Sequence, residues 1–176
     1  METYQEVLQL VGDKHLKGDG QASIELVEFG DYECPFCFNS YYMVNNLIKT
    51  MEGDIKYIFV HFPNKAIHEN AMACACAAEA ASMQGKFWEM HDALFAHQKC
   101  LDFKTVTKIA RKLELDVPKF QEDMKSAMIN DFVKDQFRAG RALGVTGTPA
   151  FFINGRKHEG DWTYKSLIAD IRKNHN

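Results

Sequence analysis

The sequence contains no run of apolar residues close to the ~20 that a membrane-spanning helix needs. With a formal net charge of −3, it also lacks the basic excess that favours nucleic acid or anionic membranes as partners. Residues 1–6 lack the basic start and apolar core of a signal peptide. These absences predict no nucleic-acid partner, no membrane insertion and a cytoplasmic location. If a leader had been trimmed from the chain, the location would instead be periplasmic or extracytoplasmic.

Cysteine is scarce, and its number is odd: there are five cysteines in 176 residues. An odd number fits a reducing compartment better than a disulfide-stapled secreted fold. The hydrophobic content of 46% and charged content of 26% are those of an ordinary globular protein, and the length predicts one domain, with room for an insertion.

Two of the cysteines form the motif Cys34-Pro35-Phe36-Cys37, which follows the apolar run of residues 24–29. The motif opens a predicted helix, whose N-terminus presents unpaired N–H groups and a positive dipole end. That environment favours a thiolate, the nucleophile of disulfide exchange. Pro35 suits the first helical turn because its missing N–H would have had no partner there. The pattern predicts a redox-active dithiol.

A zinc site is the competing interpretation of this motif. Four-ligand zinc needs a second pair of cysteines or suitably spaced histidines. Cys74 and Cys76 are two residues apart in a predicted helix and so point to different faces. We therefore expect no metal and no cofactor, although an inert pair or a metal-holding pair stays open as an alternative.

The order of predicted elements is βαβ, then helices, then ββα, which indicates an α/β fold with an inserted all-helical subdomain. The βαβ unit predicts parallel strands, and Asn154-Gly155 predicts a two-residue antiparallel hairpin. We expect a thioredoxin-like domain from residues 1–63 and 144–176, and a helical subdomain from residues 64–143. Helices are predicted over 2–11, 35–48, 66–83, 86–97, 103–113, 117–126, 129–143 and 163–173, and strands over 24–29, 54–61, 150–153 and 156–158.

A second signal lies at Thr148-Pro149, directly before the predicted strand 150–153. Proline cannot donate to a strand ladder, so its place at the entry to a central strand is unusual. A cis Thr148–Pro149 bond would account for it, but cis occurs at only about 5–6% of X–Pro bonds, and the base rate favours trans.

Three segments together resemble the DsbA-like branch of the thioredoxin superfamily: Glu28 with the Cys34–Cys37 motif, residues 144–155, and residues 85–95. The resemblance covers residues 20–172. It implies a thioredoxin fold, a cis Pro149 facing the cysteine pair, and thiol–disulfide exchange with protein substrates. One departure is Phe36, which stands where the periplasmic oxidase of the family has histidine. Because phenylalanine neither donates a hydrogen bond nor carries charge, we expect a more reducing couple than that oxidase has.

Within this resemblance Cys34 would be the attacking thiol, the more exposed of the two, and Cys37 the deeper, resolving thiol. Glu28 would be the buried acid that other members carry six residues before the motif, relaying protons to Cys37. The alternation of the strand leaves open that Glu28 lies at a strand edge. Thr148 and Pro149 would present backbone to an extended substrate, with Pro35 and Phe36 beside it.

The remaining conspicuous residues have structural interpretations. Cys74 and Cys76 are expected to be buried free thiols, and Cys100 an incidental exposed one. The histidines show no shared ligand spacing, so we expect them on the surface or on helix faces; this applies to His61, His68, His91 and His97. Phe36 and Phe62 are expected to form an apolar rim for binding.

The sequence thus predicts a thiol–disulfide oxidoreductase that acts on protein thiols or disulfides and depends on an unidentified redox partner for recycling. Two alternatives remain: a glutathione-linked reductase or transferase of the same fold, and a redox-inactive thiol- or metal-binding module. The glutathione-transferase kappa branch has this architecture but lacks the cysteine pair.

Overall fold

The computed structural model describes the backbone of residues 3–175 and the side chains of residues 3–173. Its helices are α1 Tyr4–Val11, α2 Pro35–Thr50, α3 Ala71–Ser82, α4 Phe87–Ala96, α5 Phe103–Lys112, α6 Val117–Lys125, α7 Ala127–Ala142 and α8 Tyr164–His175. Its strands are β1 Leu16–Gly18, β2 Ile24–Gly30, β3 Ile55–His61, β4 Ala150–Ile153 and β5 Arg156–Lys157. Among the described residues, no helix combines the length and the apolar character needed to cross a membrane.

The five strands form one sheet in the order β1-β3-β2-β4-β5. β2 and β3 are parallel, as the βαβ pattern predicted, and α2 is the crossover helix between them. All other neighbours are antiparallel. The predicted βαβ–ββα order with helices α3–α7 between β3 and β4 is therefore confirmed.

The hairpin between β4 and β5 turns at Asn154 and Gly155, whose φ angles are 47° and 80°. Positive φ at both positions is what a type I′ turn requires, and asparagine and glycine tolerate it best. The predicted turn is confirmed.

The sheet separates two apolar clusters, as the period of two along its strands requires. Val27 and Phe29 of β2 belong to a smaller cluster with α1 and α7. Leu26 belongs to a larger cluster that includes residues of α2 and of helices α3–α7. This larger core contains residues from both sides of the predicted boundary between residues 63 and 64. The division into a thioredoxin-like domain and a helical subdomain stays a prediction.

Two features differ from the sequence prediction. β1, in a stretch predicted as a connection, adds an antiparallel edge strand to β3. The helix predicted over 66–83 begins only at Ala71. The earlier residues form turns because Asn64 holds them: its side-chain oxygen accepts the N–H of Ala66, and its carbonyl accepts the N–H of His68.

Candidate functional site

Cys34 lies at the start of α2, as its N-cap residue, with Pro35 in the first turn. Its carbonyl accepts the first helical hydrogen bond, from Phe38, while the N–H groups of Phe36 and Cys37 interact with its sulfur. The pKa of Cys34 is lowered to about 6, chiefly by a hydrogen bond from the Cys37 thiol and, against the effect of burial, by Thr148 and these N–H groups. At neutral pH the sulfur is therefore largely a thiolate.

Cys37 lies one turn deeper in α2 and is completely buried, whereas Cys34 is 4% exposed. Burial raises the pKa of the Cys37 thiol well above its ordinary value, and the hydrogen bond to Cys34 and the nearby Glu28 carboxyl act in the same direction. The N–H of Asp31 donates to its sulfur at 3.5 Å. The two cysteines of one motif therefore differ in protonation, and Cys34 is the more accessible only by a narrow margin.

Glu28 is on the central strand β2, on the face that carries α2, and is 1% exposed. The Ser40 hydroxyl of α2 donates to its Oε1 at 2.8 Å, and the Tyr57 hydroxyl of β3 donates to its Oε2 at 2.7 Å. Burial raises the pKa of Glu28 to about 7, although these two hydrogen bonds lower it. The structure thus places Glu28 in the interior of the sheet and not at its edge.

The Thr148–Pro149 peptide bond is cis and directly precedes β4. The Sγ of Cys34 lies 3.3 Å from the carbonyl oxygen of Thr148. The structure therefore brings together two sequence signals that are 114 residues apart.

An aromatic pair flanks the motif. Phe36 is 56% exposed, and its ring centroid lies 5.5 Å from that of Trp162, a residue that the sequence analysis did not single out. Beside them is a groove of about 300 Å³, to whose lining Thr146, Pro149 and Trp162 contribute. The prediction of a rim was wrong for Phe62, because its ring is buried in the smaller apolar cluster, where it stacks on Phe137.

Asp31, which precedes the motif, was missed because a lone acid before a cysteine pair has no spacing signature. Its Oδ1 accepts the N–H of Glu33 at 2.9 Å, and its Oδ2 lies 2.8 Å from both the N–H of Asn64 and the Nδ1 of His68. These contacts attach the loop of the motif to the segment that follows β3.

Gln98 was also missed, because a single glutamine far from the motif in sequence has no spacing signature. Its Nε2 donates to the carbonyls of Tyr32 and Cys34, at 2.8 and 2.9 Å. It lies after α4, so the helices between β3 and β4 hold the backbone of the motif directly.

The other cysteines lie where the sequence placed them. Cys74 and Cys76 are buried free thiols in α3, and Cys100 is an exposed free thiol. The expectation for the histidines was wrong for His61, which is 1% exposed at the end of the strand β3. His91 lies on a helix face, as expected, but on the inner face of α4, where it is 2% exposed. Both rings pack against the aromatic ring of Phe59.

Comparison with known proteins agrees with this architecture. The family Thioredoxin_4, described as thioredoxin, matches residues 11–173. A thioredoxin-like oxidoreductase from Silicibacter pomeroyi has a similar structure, with a TM-score of 0.81 and 25% identity, covering 93% of this chain and 96% of that one. DsbA2 of Pseudomonas aeruginosa is similar with a TM-score of 0.74 and 26% identity, covering 91% and 93%.

A curated relative, the Na⁺/H⁺ antiporter NhaA 1 of Mycobacterium sp. (strain KMS), is 36% identical over 159 residues. The match covers 89% of this chain but 26% of the antiporter, so the chain spans about a quarter of the curated relative's length. The family match, by contrast, includes the whole sheet and the cysteine motif. On that evidence the chain belongs to the Thioredoxin_4 family and is a DsbA-like member of the thioredoxin superfamily.

Proposed function

We propose that this protein exchanges disulfides with protein substrates through the Cys34-Pro35-Phe36-Cys37 dithiol. The observation that carries the proposal is the contrast between the two thiols, since the pKa of Cys34 is lowered to about 6 while that of Cys37 is raised. One thiol is ready to attack, and the other is held protonated until it is needed.

In the reductive direction, the Cys34 thiolate attacks one sulfur of a substrate disulfide. A bond forms between the Cys34 sulfur and that substrate sulfur, and the substrate's S–S bond breaks. The second substrate sulfur leaves with the electron pair as a thiolate, which gives a mixed disulfide through Cys34.

Resolution then requires Cys37 to lose its proton. Glu28, whose pKa is raised to about 7, accepts that proton in its ionised form, directly or through one water. The Cys37 thiolate attacks the Cys34 sulfur, the substrate leaves as its second thiolate, and the protein is left as the Cys34–Cys37 disulfide. The oxidative direction is the reverse, and a separate redox protein restores the couple.

We assign substrate binding to the backbone of Thr148 and Pro149, with Pro35 and Phe36 on the other side of the Cys34 sulfur. The Thr148 carbonyl lies 3.3 Å from that sulfur, so an extended segment lying along residues 148–149 would pass over it. The half-exposed ring of Phe36 and its neighbour Trp162 offer apolar contact to such a segment.

The test is stoichiometric exchange in the absence of any small thiol. The protein, oxidised to the Cys34–Cys37 disulfide, is mixed with a reduced, unfolded protein that contains cysteines, and acid-quenched samples are analysed by mass spectrometry. We expect one substrate disulfide to form for each protein disulfide lost. The reverse reaction is followed with reduced protein and a disulfide-containing substrate.

A parallel arm separates the glutathione-linked alternative. If exchange occurs with glutathione disulfide but not with either protein substrate, the proposal is wrong and the glutathione function takes its place. If the protein exchanges neither with glutathione disulfide nor with the protein substrates, while its free thiols still react normally with a thiol reagent, the site is redox-inactive.

A further inference from the structure

Three buried polar side chains converge between β3, α3 and the short 3₁₀ turn before β1. They are His15, His61 and Glu79, and each is at most 5% exposed. The Oε1 of Glu79 lies 3.0 Å from the Nε2 of His15 and 3.1 Å from the Nε2 of His61. All three ligand atoms are within 4.8 Å of one another. None of these residues is used by the dithiol mechanism.

The contacts are close, but they do not have the geometry of hydrogen bonds. Among the described residues, Nε2 of His15 and both ring nitrogens of His61 have no hydrogen-bond partner, although each Nε2 is near a carboxylate oxygen. The Nδ1 of His15 lies 2.7 Å from the carbonyl oxygen of Phe59 and must be the donor there, because a carbonyl only accepts. In the neutral ring, Nε2 of His15 therefore carries a lone pair and faces the carboxylate without a proton between them.

We propose that His15 Nε2, His61 Nε2 and Glu79 Oε1 bind a divalent transition-metal ion of the zinc type. Ligand atoms that lie about 2.0–2.2 Å from zinc are about 2.8–3.6 Å apart for angles between 90° and tetrahedral. The two distances to Glu79 agree with that range. Two imidazole nitrogens and one carboxylate oxygen select zinc and its neighbours over calcium and magnesium, which prefer oxygen ligands.

The surroundings are those of a metal site. A ligating histidine commonly donates its other ring N–H to a backbone carbonyl, as His15 does to Phe59. Gln136 of α7 contacts the other two residues, since its Nε2 donates to Glu79 Oε1 at 2.9 Å and its Oε1 accepts the backbone N–H of His61 at 2.8 Å. These contacts hold the Glu79 carboxylate and the backbone of His61 in place.

The three protein ligands leave at least one coordination position for water or another small ligand. His15 and Glu79 line a cavity of about 540 Å³ whose other walls are mostly apolar, among them Met128 and Phe132. A bound ion would connect the end of β3 to α3, and thereby the sheet to the helices that follow it. We expect it to stabilise the protein and to leave the chemistry of the dithiol unchanged.

The thiols are the main complication in a test, because a reduced Cys34–Cys37 pair also binds zinc. Metal binding is therefore measured on the protein in its Cys34–Cys37 disulfide form with Cys100→Ser, after treatment with chelator and dialysis. Zinc is titrated by calorimetry, and Co²⁺ is titrated as a spectroscopic probe. We expect one ion per chain, a higher melting temperature that chelator reverses, and a Co²⁺ spectrum without thiolate charge-transfer bands.

The variant Glu79→Gln removes the ligand charge and keeps the size of the side chain. We expect it to weaken zinc binding at least tenfold and to abolish the metal-dependent rise in melting temperature. His97→Gln is the matched control, since His97 is the C-cap residue of α4 and its Nδ1 lies 2.8 Å from the carbonyl oxygen of Ala93, away from the cluster. It should bind zinc like the wild type.

X-ray absorption at the zinc edge of the wild-type protein keeps the inference testable even if Glu79→Gln fails to fold. Imidazole scattering from two histidines would support it. Sulfur in the first shell, or no zinc retained at one equivalent, would overturn it and leave the cluster as a buried contact between two histidines and a carboxylate. Because disulfide exchange is assayed separately, its failure would not affect this result, nor would failure here affect the proposed function.

Discussion

The chain has two pairs of closely spaced cysteines, and their environments are opposite. Cys34 and Cys37 lie at the N-terminus of α2, while Cys74 and Cys76 lie within α3. All four are buried. Yet the pKa of Cys34 is lowered to about 6, whereas burial and the charge of Glu79 raise the pKa of Cys76 to about 11.

Burial is therefore not what distinguishes the two pairs. Cys34 precedes its helix, where N–H groups have no helical partners and are free to face the sulfur. Within α3 the N–H groups are already used, as when Cys74 donates to Asn70. The low pKa of Cys34 thus depends first on the hydrogen bond from the Cys37 thiol, and then on Thr148 and on the unused backbone N–H groups at the start of α2.

The largest effect is expected from Cys34→Ser. Because Cys37 is fully buried and its pKa is raised, it cannot replace Cys34 as the nucleophile, and we expect exchange to fall at least 1,000-fold. The measurement is the rate of disulfide reduction in a protein substrate, with Cys100→Ser as the control. Substantial activity in Cys34→Ser would reverse the assignment of the two thiols.

Cys37→Ser should stop turnover after the first step. Attack by Cys34 remains possible, but no resolving thiol follows, so mixed disulfides with substrate should accumulate. Non-reducing electrophoresis after incubation with a disulfide-containing protein shows them as adducts that dithiothreitol removes. The assignment is contradicted if Cys34→Ser forms the adduct and Cys37→Ser does not.

The two pairs should also differ in their pH dependence. Alkylation of Cys34 by iodoacetamide should increase as pH rises through about 6, because the thiolate reacts and the thiol does not. Cys76 should stay unmodified in the native protein up to pH 9, and it should react once the protein is unfolded. Peptide mass spectrometry separates the sites. A midpoint for Cys34 near 9, the ordinary pKa of cysteine, would remove the distinction between the pairs.

Glu28→Gln should slow the resolution step by about 10- to 100-fold. In the wild type this step should accelerate as pH rises through about 7, where Glu28 becomes ionised, and in the variant that rise should disappear. Stopped-flow decay of a preformed mixed disulfide measures the rate. An unchanged pH profile would show that Glu28 does not carry the proton.

The same substitution has an effect on stability. The pKa of Glu28 is above its ordinary 4.5, so the native state keeps a proton that the unfolded chain has already lost between pH 4.5 and about 7. The free energy of unfolding should therefore fall as pH rises through that window, by roughly 3 kcal/mol from this group. Urea titrations of the reduced protein at a series of pH values measure this free energy. In Glu28→Gln the decrease between pH 4.5 and about 7 should be absent.

The smallest effect on exchange is expected when Cys74→Ala, Cys76→Ala and Cys100→Ser are combined. The interactions of these thiols are with residues other than Cys34 and Cys37, so exchange should stay within twofold of the wild type. The two buried truncations should cost stability, about 1–3 kcal/mol together. A folded but inactive triple variant would place one of these thiols in the mechanism.

Local signals accounted for most of the fold. The apolar run of β2, the proline at the start of α2 and the Asn154-Gly155 turn each act over a few residues, and the structure agrees with all three. β1 was missed because a three-residue edge strand has too few residues to show a period. The start of α3 was misplaced because hydrogen bonds to Asn64 outweigh the helix propensity of the preceding residues.

That a cysteine pair begins a helix after a buried strand follows from the sequence, since neighbouring residues decide where this helix starts. What surrounds the pair follows from how distant segments pack. Thr148 and Gln98 reach Cys34 from other elements. Likewise, His15, His61 and Glu79 have no spacing that predicts a ligand set, because their approach depends on how β3 and α3 pack. Contacts between distant segments follow from burial of the whole core, which no short stretch of sequence encodes.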